Sequence, residues 1–308
     1  MEITDFIGNR RIVDFFLHHA LSNNVPSGTY ILVGAPQLGK KTLVQLVCAQ
    51  LLKTSFDRLK NHPDFLLLER LTDEKTGKNK RAITVEQARD LKSKIMTSSW
   101  GMGQRFVLID GADELNEEAS NALLKLFEEP PARTVFFLTV QDERSLLPTI
   151  RSRAQIFHFS SVKHDDIEQA LVAKAPLDEV KKVIPLSWGR PGRAWELLTS
   201  SELRAEESEK QKKLTAVAGA AFYRQSKYIE EWLGKGEDTN YDRDELDALF
   251  EAWIMDFHTH MIQSVSDVHH VWKTTQSIMR IQEARALLRR QVNLRLVAEA
   301  LALNFAAV

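Results

Sequence analysis

The stretch Thr29–Thr42 constrains the fold more than any other part of the chain, because it reads as a strand, a loop and the start of a helix. Gly34 and Gly39 bound the loop and Lys40 follows directly, which gives the skeleton of a phosphate-binding P-loop, G-x-x-x-x-G-K-[ST]. In such a loop the backbone N–H groups, the helix N-terminus and the lysine all point at phosphate oxygens. The pattern therefore predicts a nucleotide-type loop at the end of a buried strand.

The last position of this loop departs from the pattern. Lys41 stands where a hydroxyl would hold a magnesium ion, and Thr42 comes one residue late. We therefore expect a degenerate nucleotide site that requires no cofactor, and the binding of ATP or ADP to it is left open.

Five short apolar stretches alternate with helical patterns in the first half of the chain. The strand candidates are residues 29–33, 64–69, 105–110, 134–140 and 155–159. Because strands that alternate with helices form βαβ units, this order predicts an α/β fold with a parallel sheet. A capping-box pattern at Thr84 and Gln87 predicts the start of one of the helices, and a short helical turn is predicted at residues 143–147, before Pro148.

Beyond residue 161 the pattern becomes helical. Three short helices are predicted at residues 164–173, 177–184 and 191–200, and longer helical patterns with breaks near 234–240 and 264–269 follow from about residue 203. We therefore predict an α/β domain at residues 1–162, a small helical lid at 163–203 and an all-helical domain at 204–308. The charged stretch Thr72–Arg81 is either a solvated loop or a hairpin that faces DNA or a partner.

Composition excludes several classes of protein. The 308 residues are 44% hydrophobic and 27% charged, which is ordinary for a globular protein, and the formal net charge of -1 gives no overall attraction to nucleic acid or membranes. The single cysteine, Cys48, excludes an internal disulfide and a four-cysteine zinc site. Since no apolar run approaches the roughly 20 residues of a membrane span and the N-terminus lacks the apolar core of a signal peptide, we expect a cytoplasmic protein.

Two strand ends carry the remaining residues of the expected nucleotide site. Asp110 ends the third strand as the acidic partner of the P-loop, and Thr139 is either a strand-end threonine or a contact to a γ-phosphate. Gly111 replaces the glutamate that polarises the attacking water in hydrolysing sites of this class. Asp113 and Glu114 are then either substitute bases or surface acids at a helix entry, so the site lacks an ordinary hydrolytic base.

The turn TIRSR, at residues 149–153, places two arginines just before the last strand candidate. Arg153 is either a surface cation or an arginine finger, which reaches across a subunit boundary to ATP on another chain. Such a finger stabilises charge in the transition state and is worth about 10³–10⁵ in rate.

Several segments resemble the delta-prime family of bacterial DNA polymerase III clamp-loader subunits, which are AAA+ proteins. The segment FVLIDGADELNEEASNALLKLFEEPP is similar to the family's Walker B strand and following helix, and NALLKLFEEPP is its most specific part. FFLTV resembles the sensor 1 strand, with Thr139 at its polar position. LLPTIRSRAQIF resembles the segment with the S-R-C motif, although Ala154 replaces the cysteine.

The resemblance implies a fold, a role and a set of partners. The fold would be an AAA+ P-loop domain with a five-stranded parallel sheet, a helical lid and a helical C-terminal collar that joins subunits. Arg153 would be a catalytic residue in trans, donated to ATP on a neighbouring ATPase subunit. The partners would be the gamma or tau ATPase subunits, the delta subunit, the sliding clamp and, through the assembly, primed DNA, with no membrane partner.

Departures from the ATPase subunits bear on activity. In the stretch GRPGRA, Gly192 stands at the place of the sensor 2 arginine, a form that resembles delta-prime subunits rather than motor subunits. Lys41 and Gly111 are both in keeping with a degenerate ATP site. The run Leu51–Asp64 lacks the cysteines of the zinc module that many relatives carry, so no zinc is expected.

Residues and resemblance together predict a non-motor clamp-loader subunit of the DNA polymerase III holoenzyme, without ATPase activity of its own. One alternative is an active AAA+ ATPase, either a gamma or tau motor subunit or a related replication-repair factor. It would need Thr42 on magnesium and Asp113 or Glu114 as the base. Another alternative is an ATP-binding scaffold unrelated to replication, in which Arg153 serves local packing.

Overall fold

A five-stranded parallel sheet forms the centre of the N-terminal part of the chain in the computed structural model. The strands are β1 (Gly28–Val33), β2 (Phe65–Leu68), β3 (Arg105–Asp110), β4 (Thr134–Val140) and β5 (Ala154–His158). Their order across the sheet is β2-β3-β4-β1-β5, and each neighbouring pair runs parallel. The predicted α/β sheet is confirmed, and each strand begins and ends within about one residue of its predicted bounds.

The structure describes residues 3–22, 25–72, 82–97, 103–218, 243–263, 267–289 and 292–305. The chain divides into two compact units, Met1–Thr199 and Ser200–Val308. The predicted division between α/β domain and lid falls inside the first unit, and the bounds of the three predicted domains stay predictions. Most of the charged stretch 72–81 and the predicted break near 234–240 lie outside the described residues.

Both faces of the sheet are buried, which explains why its strands are apolar at consecutive positions rather than at alternate ones. On β1, Tyr30 and Leu32 pack on one side of the sheet, while Ile31 and Val33 pack on the other. Strand β4 is buried at every position. Because β1 and β4 are neighbours and parallel, the loop after β1 and Thr139 near the end of β4 lie at the same edge of the sheet.

Helices cover this sheet and make the predicted crossovers. They are α1 (Arg10–Leu21), α2 (Lys40–Leu51), α3 (Val85–Thr97), α4 (Glu117–Glu128) and the four-residue α5 (Pro148–Arg151). Before α3, the Gln87 side chain accepts a hydrogen bond from the Thr84 N–H over 3.2 Å, as the capping box predicts. The helical turn predicted at 143–147 is instead split between a 3-10 turn, Glu143–Ser145, and α5, because Pro148 starts a new helix.

Three short helices complete the first unit. They are α6 (His164–Val172), α7 (Leu177–Ser187) and α8 (Pro191–Thr199). They surround a small apolar core of their own, which includes Ile167, Val180 and Ala194. The Val162 N–H donates to the Gly189 carbonyl over 2.8 Å, which joins the end of the sheet region to the turn before α8.

The second unit is helical throughout its described residues. Its helices are α9 (Ser201–Ala218), α10 (Arg243–Gln263), α11 (Val268–Arg289) and α12 (Leu294–Phe305). Phe250 and Trp253 of α10 share an apolar core with Ile281 of α11, and Arg285 donates two hydrogen bonds of 2.7 Å to Asp247. The predicted break near 264–269 falls between α10 and α11, where residues 264–266 are outside the description. Among the described helices of both units, none is long and apolar enough to cross a membrane.

Candidate functional site

A cleft of about 660 Å³ opens where the carboxyl ends of β1, β3 and β4 meet. Gly39, Lys40, Thr42, Asp110 and Thr139 all line it. Ligands of open α/β sheets bind at this kind of edge, outside the carboxyl ends of the strands. The structure therefore gathers five of the six residues predicted for the nucleotide site in one place. The sixth, Gly34, does not line the cleft, although its carbonyl oxygen contacts Lys40.

Lys40, the predicted phosphate-binding lysine, is turned back onto its own loop. Its Nζ donates to the carbonyl oxygen of Gly34 over 2.6 Å and to that of Ala35 over 2.7 Å. Burial lowers the pKa of Lys40 to about 8, although the carboxylates of Asp110 and Asp113 oppose this shift. The two loop carbonyls thus replace part of the hydration that burial removes from the ammonium.

Lys41 brings a positive charge to the position where an ordinary P-loop has the hydroxyl that holds magnesium. Its Nζ forms ion pairs with Glu69, which directly follows β2, and with Asp110 Oδ2 at 3.0 Å. Burial alone would lower the pKa of Lys41, but the hydrogen bonds and charges of Glu69 and Asp110 outweigh it and raise the pKa above its ordinary value. Lys41 is therefore cationic at neutral pH and bridges two carboxylates.

The second oxygen of the Asp110 carboxylate is bound to the neighbouring strand. Thr139 Oγ1 donates to Asp110 Oδ1 over 2.6 Å and accepts a hydrogen bond from the Gly111 N–H over 2.9 Å. This geometry follows from the register of β3 and β4, which sets Asp110 directly opposite Thr139. A threonine hydroxyl has one O–H to donate, and here that donor is used on Asp110.

The two acids considered as substitute bases are both engaged. Glu114 Oε2 accepts from Arg70 Nε over 2.7 Å, and Asp113 Oδ2 accepts from the Gln141 N–H over 3.0 Å. Gly111 makes this arrangement possible, since its φ of 79° is left-handed and a Cβ there would lie 2.6 Å from Glu114 Oε2. The glycine at the usual base position therefore leaves room for an internal carboxylate.

The lid contacts the P-loop through its backbone. The Gly192 N–H donates to the Gln37 carbonyl over 3.0 Å, and a Cβ at position 192 would lie 2.8 Å from that oxygen. Gln37 also donates through its side chain to Glu196. The next basic side chain, Arg193, places its guanidinium 3.5 Å from the centre of the Trp188 ring. Gly192, at the place that the sequence resemblance gives to the sensor 2 arginine, therefore makes a close backbone contact instead of presenting a side chain.

The cleft does not fit the magnesium ion that an ordinary P-loop holds. Mg²⁺ takes oxygen ligands at about 2.0–2.1 Å, whereas the Asp110 carboxylate is already shared between Lys41 and Thr139. Thr42 lines the cleft, but it is half-buried and one residue beyond the usual hydroxyl position. In the described parts of the chain, His, Cys, Asp and Glu side chains form no group of three or more that could hold a metal ion.

Arg153 is not one of the residues that line the cleft. It lies between α5 and β5 with an exposed side chain, and its Nη1 is 3.4 Å from the Thr149 carbonyl of the same turn. Arg144, another exposed arginine between β4 and β5, is instead held by both carboxylate oxygens of Asp142 at 3.1 Å. The Arg153 guanidinium is therefore open to an approaching molecule.

Two contacts of this site are absent from the predictions made from sequence. One is the ion pair of Lys41 with Glu69, although an acid directly after an apolar strand is the same signal that indicates Asp110. The other is the hydrogen bond from Gln37 in the P-loop to Glu196 in the lid. Because the two residues are far apart in the sequence, no local pattern predicts it.

Comparison with known proteins places the chain in a family. The sequence model of a family described as DNA polymerase III, delta subunit, matches residues 9–163. The chain belongs to the DNA polymerase III delta-prime family. The matched region contains the whole sheet, the P-loop and Arg153, so family membership rests on the part of the chain that builds the cleft.

Curated relatives agree with this assignment. The chain is 31% identical over 153 residues to DNA polymerase III subunit delta' of Haemophilus influenzae, a match that covers 49% of this chain and 45% of the relative. It is 31% identical over 205 residues to the protein of the same name from Pseudomonas aeruginosa, covering 60% of each chain. The chain thus spans about half the length of the curated relatives it matches.

A solved structure supports the fold. The crystal structure of a DNA polymerase III gamma subunit-related protein from Thermotoga maritima matches with a TM-score of 0.50 at 18% identity, covering 95% of this chain and 98% of that one. Together with the parallel sheet and the P-loop, this likeness confirms the AAA+ fold predicted from the sequence.

Proposed function

We propose that this chain is a non-motor clamp-loader subunit whose Arg153 completes the ATP site of a neighbouring ATPase subunit. Membership of the delta-prime family supports a role in the DNA polymerase III assembly. In this role the gamma or tau ATPase subunits and the delta subunit are its partners, and the assembly loads a sliding clamp on primed DNA.

The observation that carries the proposal is the contrast between Arg153 and the chain's own cleft. The Arg153 guanidinium is exposed, whereas the carboxylates a hydrolytic site would need are paired within the chain: Asp110 with Lys41, and Glu114 with Arg70. A chain with this arrangement is suited to donate an arginine to ATP held by another subunit rather than to hydrolyse its own.

The contacts within the cleft also bear on which cofactors the chain needs. We infer that the chain requires no bound nucleotide and no zinc for this role, because its P-loop lysine already bonds to the loop and the region after α2 lacks cysteine. The alternative of an active ATPase would need Asp113 or Glu114 to leave its present partner.

The test is a reconstituted assembly of this chain with the ATPase subunits, the delta subunit, the sliding clamp and primed DNA. Arg153→Ala should lower clamp-stimulated ATP turnover strongly, since an arginine finger is worth about 10³–10⁵ at the site it completes. Assembly, followed by size-exclusion chromatography, should be unchanged because the exposed side chain contributes little to folding.

Arg144→Ala is the matched control, because Arg144 is also exposed and also lies between β4 and β5. It should leave ATP turnover within about twofold of the unsubstituted assembly. Equal rates for Arg153→Ala and Arg144→Ala would contradict arginine donation. Rapid ATP hydrolysis by the isolated chain, abolished by Lys40→Ala, would favour the active ATPase instead.

A further inference from the structure

The proposed donation of Arg153 does not explain why a lysine, Lys41, stands at the hydroxyl position of the P-loop. A P-loop ordinarily places a hydroxyl at this position, where it holds Mg²⁺ together with the acid at the end of a neighbouring strand. Here the hydroxyl is replaced by a positively charged lysine. Its Nζ lies 3.0 Å from Oδ2 of Asp110, the acid that ends the neighbouring strand.

The surroundings of Lys41 are built for a positive charge. Glu69 and Asp110 come from the ends of two adjacent strands, β2 and β3, and both pair with the same ammonium. The opposite oxygen of Asp110 accepts from Thr139, which fixes the carboxylate toward Lys41. The lysine side chain is only 33% exposed, so the ammonium lies within the cleft rather than in bulk solvent.

We propose that the Lys41 ammonium permanently takes the place of the divalent cation in this cleft. It neutralises Glu69 and Asp110 in every state of the protein, so the cleft stays in its present form without metal and repels Mg²⁺. This inference rests on the cleft alone and stands or falls independently of Arg153.

The experiment uses the full-length chain and Mn²⁺ as a spectroscopic probe for a divalent cation. Binding is measured by the loss of the free Mn²⁺ signal in electron paramagnetic resonance. The unsubstituted chain should show no site that depends on Asp110. Lys41→Thr should gain one Mn²⁺ site per chain, with an affinity at least about tenfold above any Mn²⁺ binding by the unsubstituted chain. The variant restores a hydroxyl and removes an ammonium that lies 3.0 Å from Asp110 Oδ2 and also pairs with Glu69.

Thermal unfolding provides a second readout on the same proteins. In EDTA, Lys41→Thr should unfold at a lower temperature than the unsubstituted chain, because Glu69 and Asp110 then repel each other across the cleft. Added Mg²⁺ should restore much of this loss in the variant and should leave the unsubstituted chain unchanged.

Two controls separate the proposal from a general effect of losing a lysine. Lys41→Thr combined with Asp110→Asn should lose the gained Mn²⁺ site. Lys94→Thr removes an exposed ion pair to Asp90, which measures 2.7 Å, and should leave the Mn²⁺ response unchanged.

Either of two results would overturn the proposal. One is a Mn²⁺ site in the unsubstituted chain that disappears with Asp110→Asn, since the ammonium would then not exclude the metal. This measurement needs no Lys41 variant and stays decisive if Lys41→Thr does not fold. The other is a folded Lys41→Thr whose Mn²⁺ binding and unfolding temperature do not respond to divalent cations.

Discussion

Lys40 is a buried lysine, and burial disfavours its charged form. The residue is only 9% exposed, and burial lowers the pKa of its ammonium from 10.5 to about 8. The bonds to the Gly34 and Ala35 carbonyls stabilise the ammonium without a phosphate ligand. The charge therefore weighs against folding at neutral pH, and this cost should be visible in the pH dependence of stability.

A comparison of the unsubstituted chain with Lys40→Met tests this cost. The folded state binds fewer protons than the unfolded state between pH 8 and 10.5, so the contribution of Lys40 to the free energy of unfolding rises with pH. Between pH 7 and 9.5 the unsubstituted chain should gain about 2 kcal/mol relative to Lys40→Met. Urea unfolding at several pH values measures the difference, and a constant difference would contradict the lowered pKa.

Residue identities in the cleft could be predicted from spacing, whereas side-chain directions could not. The glycine spacing identified Lys40, and the acid ending an apolar strand identified Asp110. Spacing does not fix a long side chain's rotamer, so the turn of Lys40 onto its loop and the reach of Lys41 to Glu69 emerge only from tertiary structure. The role of Arg153 stays a prediction.

At the scale of elements, helix α8 approaches the P-loop closely because Gly192, in its first turn, has no side chain. Gly192 brings its backbone to the Gln37 carbonyl, and a Cβ would lie 2.8 Å from that oxygen. Gly192→Ala should therefore lower the free energy of unfolding by about 1–2 kcal/mol, even though alanine favours helices by about 1 kcal/mol.

Gly103→Ala is the matched control for this change, because a Cβ at position 103 would have no neighbour within 4 Å. It should leave the free energy of unfolding within about 0.5 kcal/mol of the unsubstituted value. Chemical unfolding of both variants gives the comparison. Equal stability of the two variants would mean that the loop moves aside without cost and that the close contact is unimportant.

Elements with a strong local signal could be predicted closely, and the exceptions have physical reasons. β4 has the same bounds in sequence and structure because seven consecutive buried positions require an apolar run. The short helix α5 before β5 was not predicted, because a proline that begins a helix can be taken for the residue that ends the preceding turn. The contact of α8 with the P-loop depends on packing between distant segments.

At the scale of the whole molecule, the first unit has the cores needed to fold by itself. Two apolar clusters cover the two faces of the sheet, and a third lies within α6, α7 and α8. We expect residues 1–199, expressed alone, to unfold in a single cooperative transition, observed by circular dichroism. A fragment of residues 1–162 should be less stable, because it loses the bonds from Val162 to Gly189 and from Gly192 to Gln37.

Loss of cooperative unfolding in the longer fragment would show that the first unit depends on residues beyond 199. Equal stability of the two fragments would show that α6, α7 and α8 do not support the sheet.

The division of the chain into an α/β part followed by helices could be predicted from the order of sequence patterns, since each part carries its own periodicity. The exact limit between the two units could not, because helices stand on both sides of it and only Ser200 separates them.

The hydroxyl of Thr139 has a wider consequence. Its one proton is committed to Asp110, so this hydroxyl has no donor left with which to distinguish a triphosphate from a diphosphate. In the proposed assembly, we therefore expect this subunit not to respond to the third phosphate of a nucleotide, so the timing of opening and closing would be set by the ATPase chains beside it.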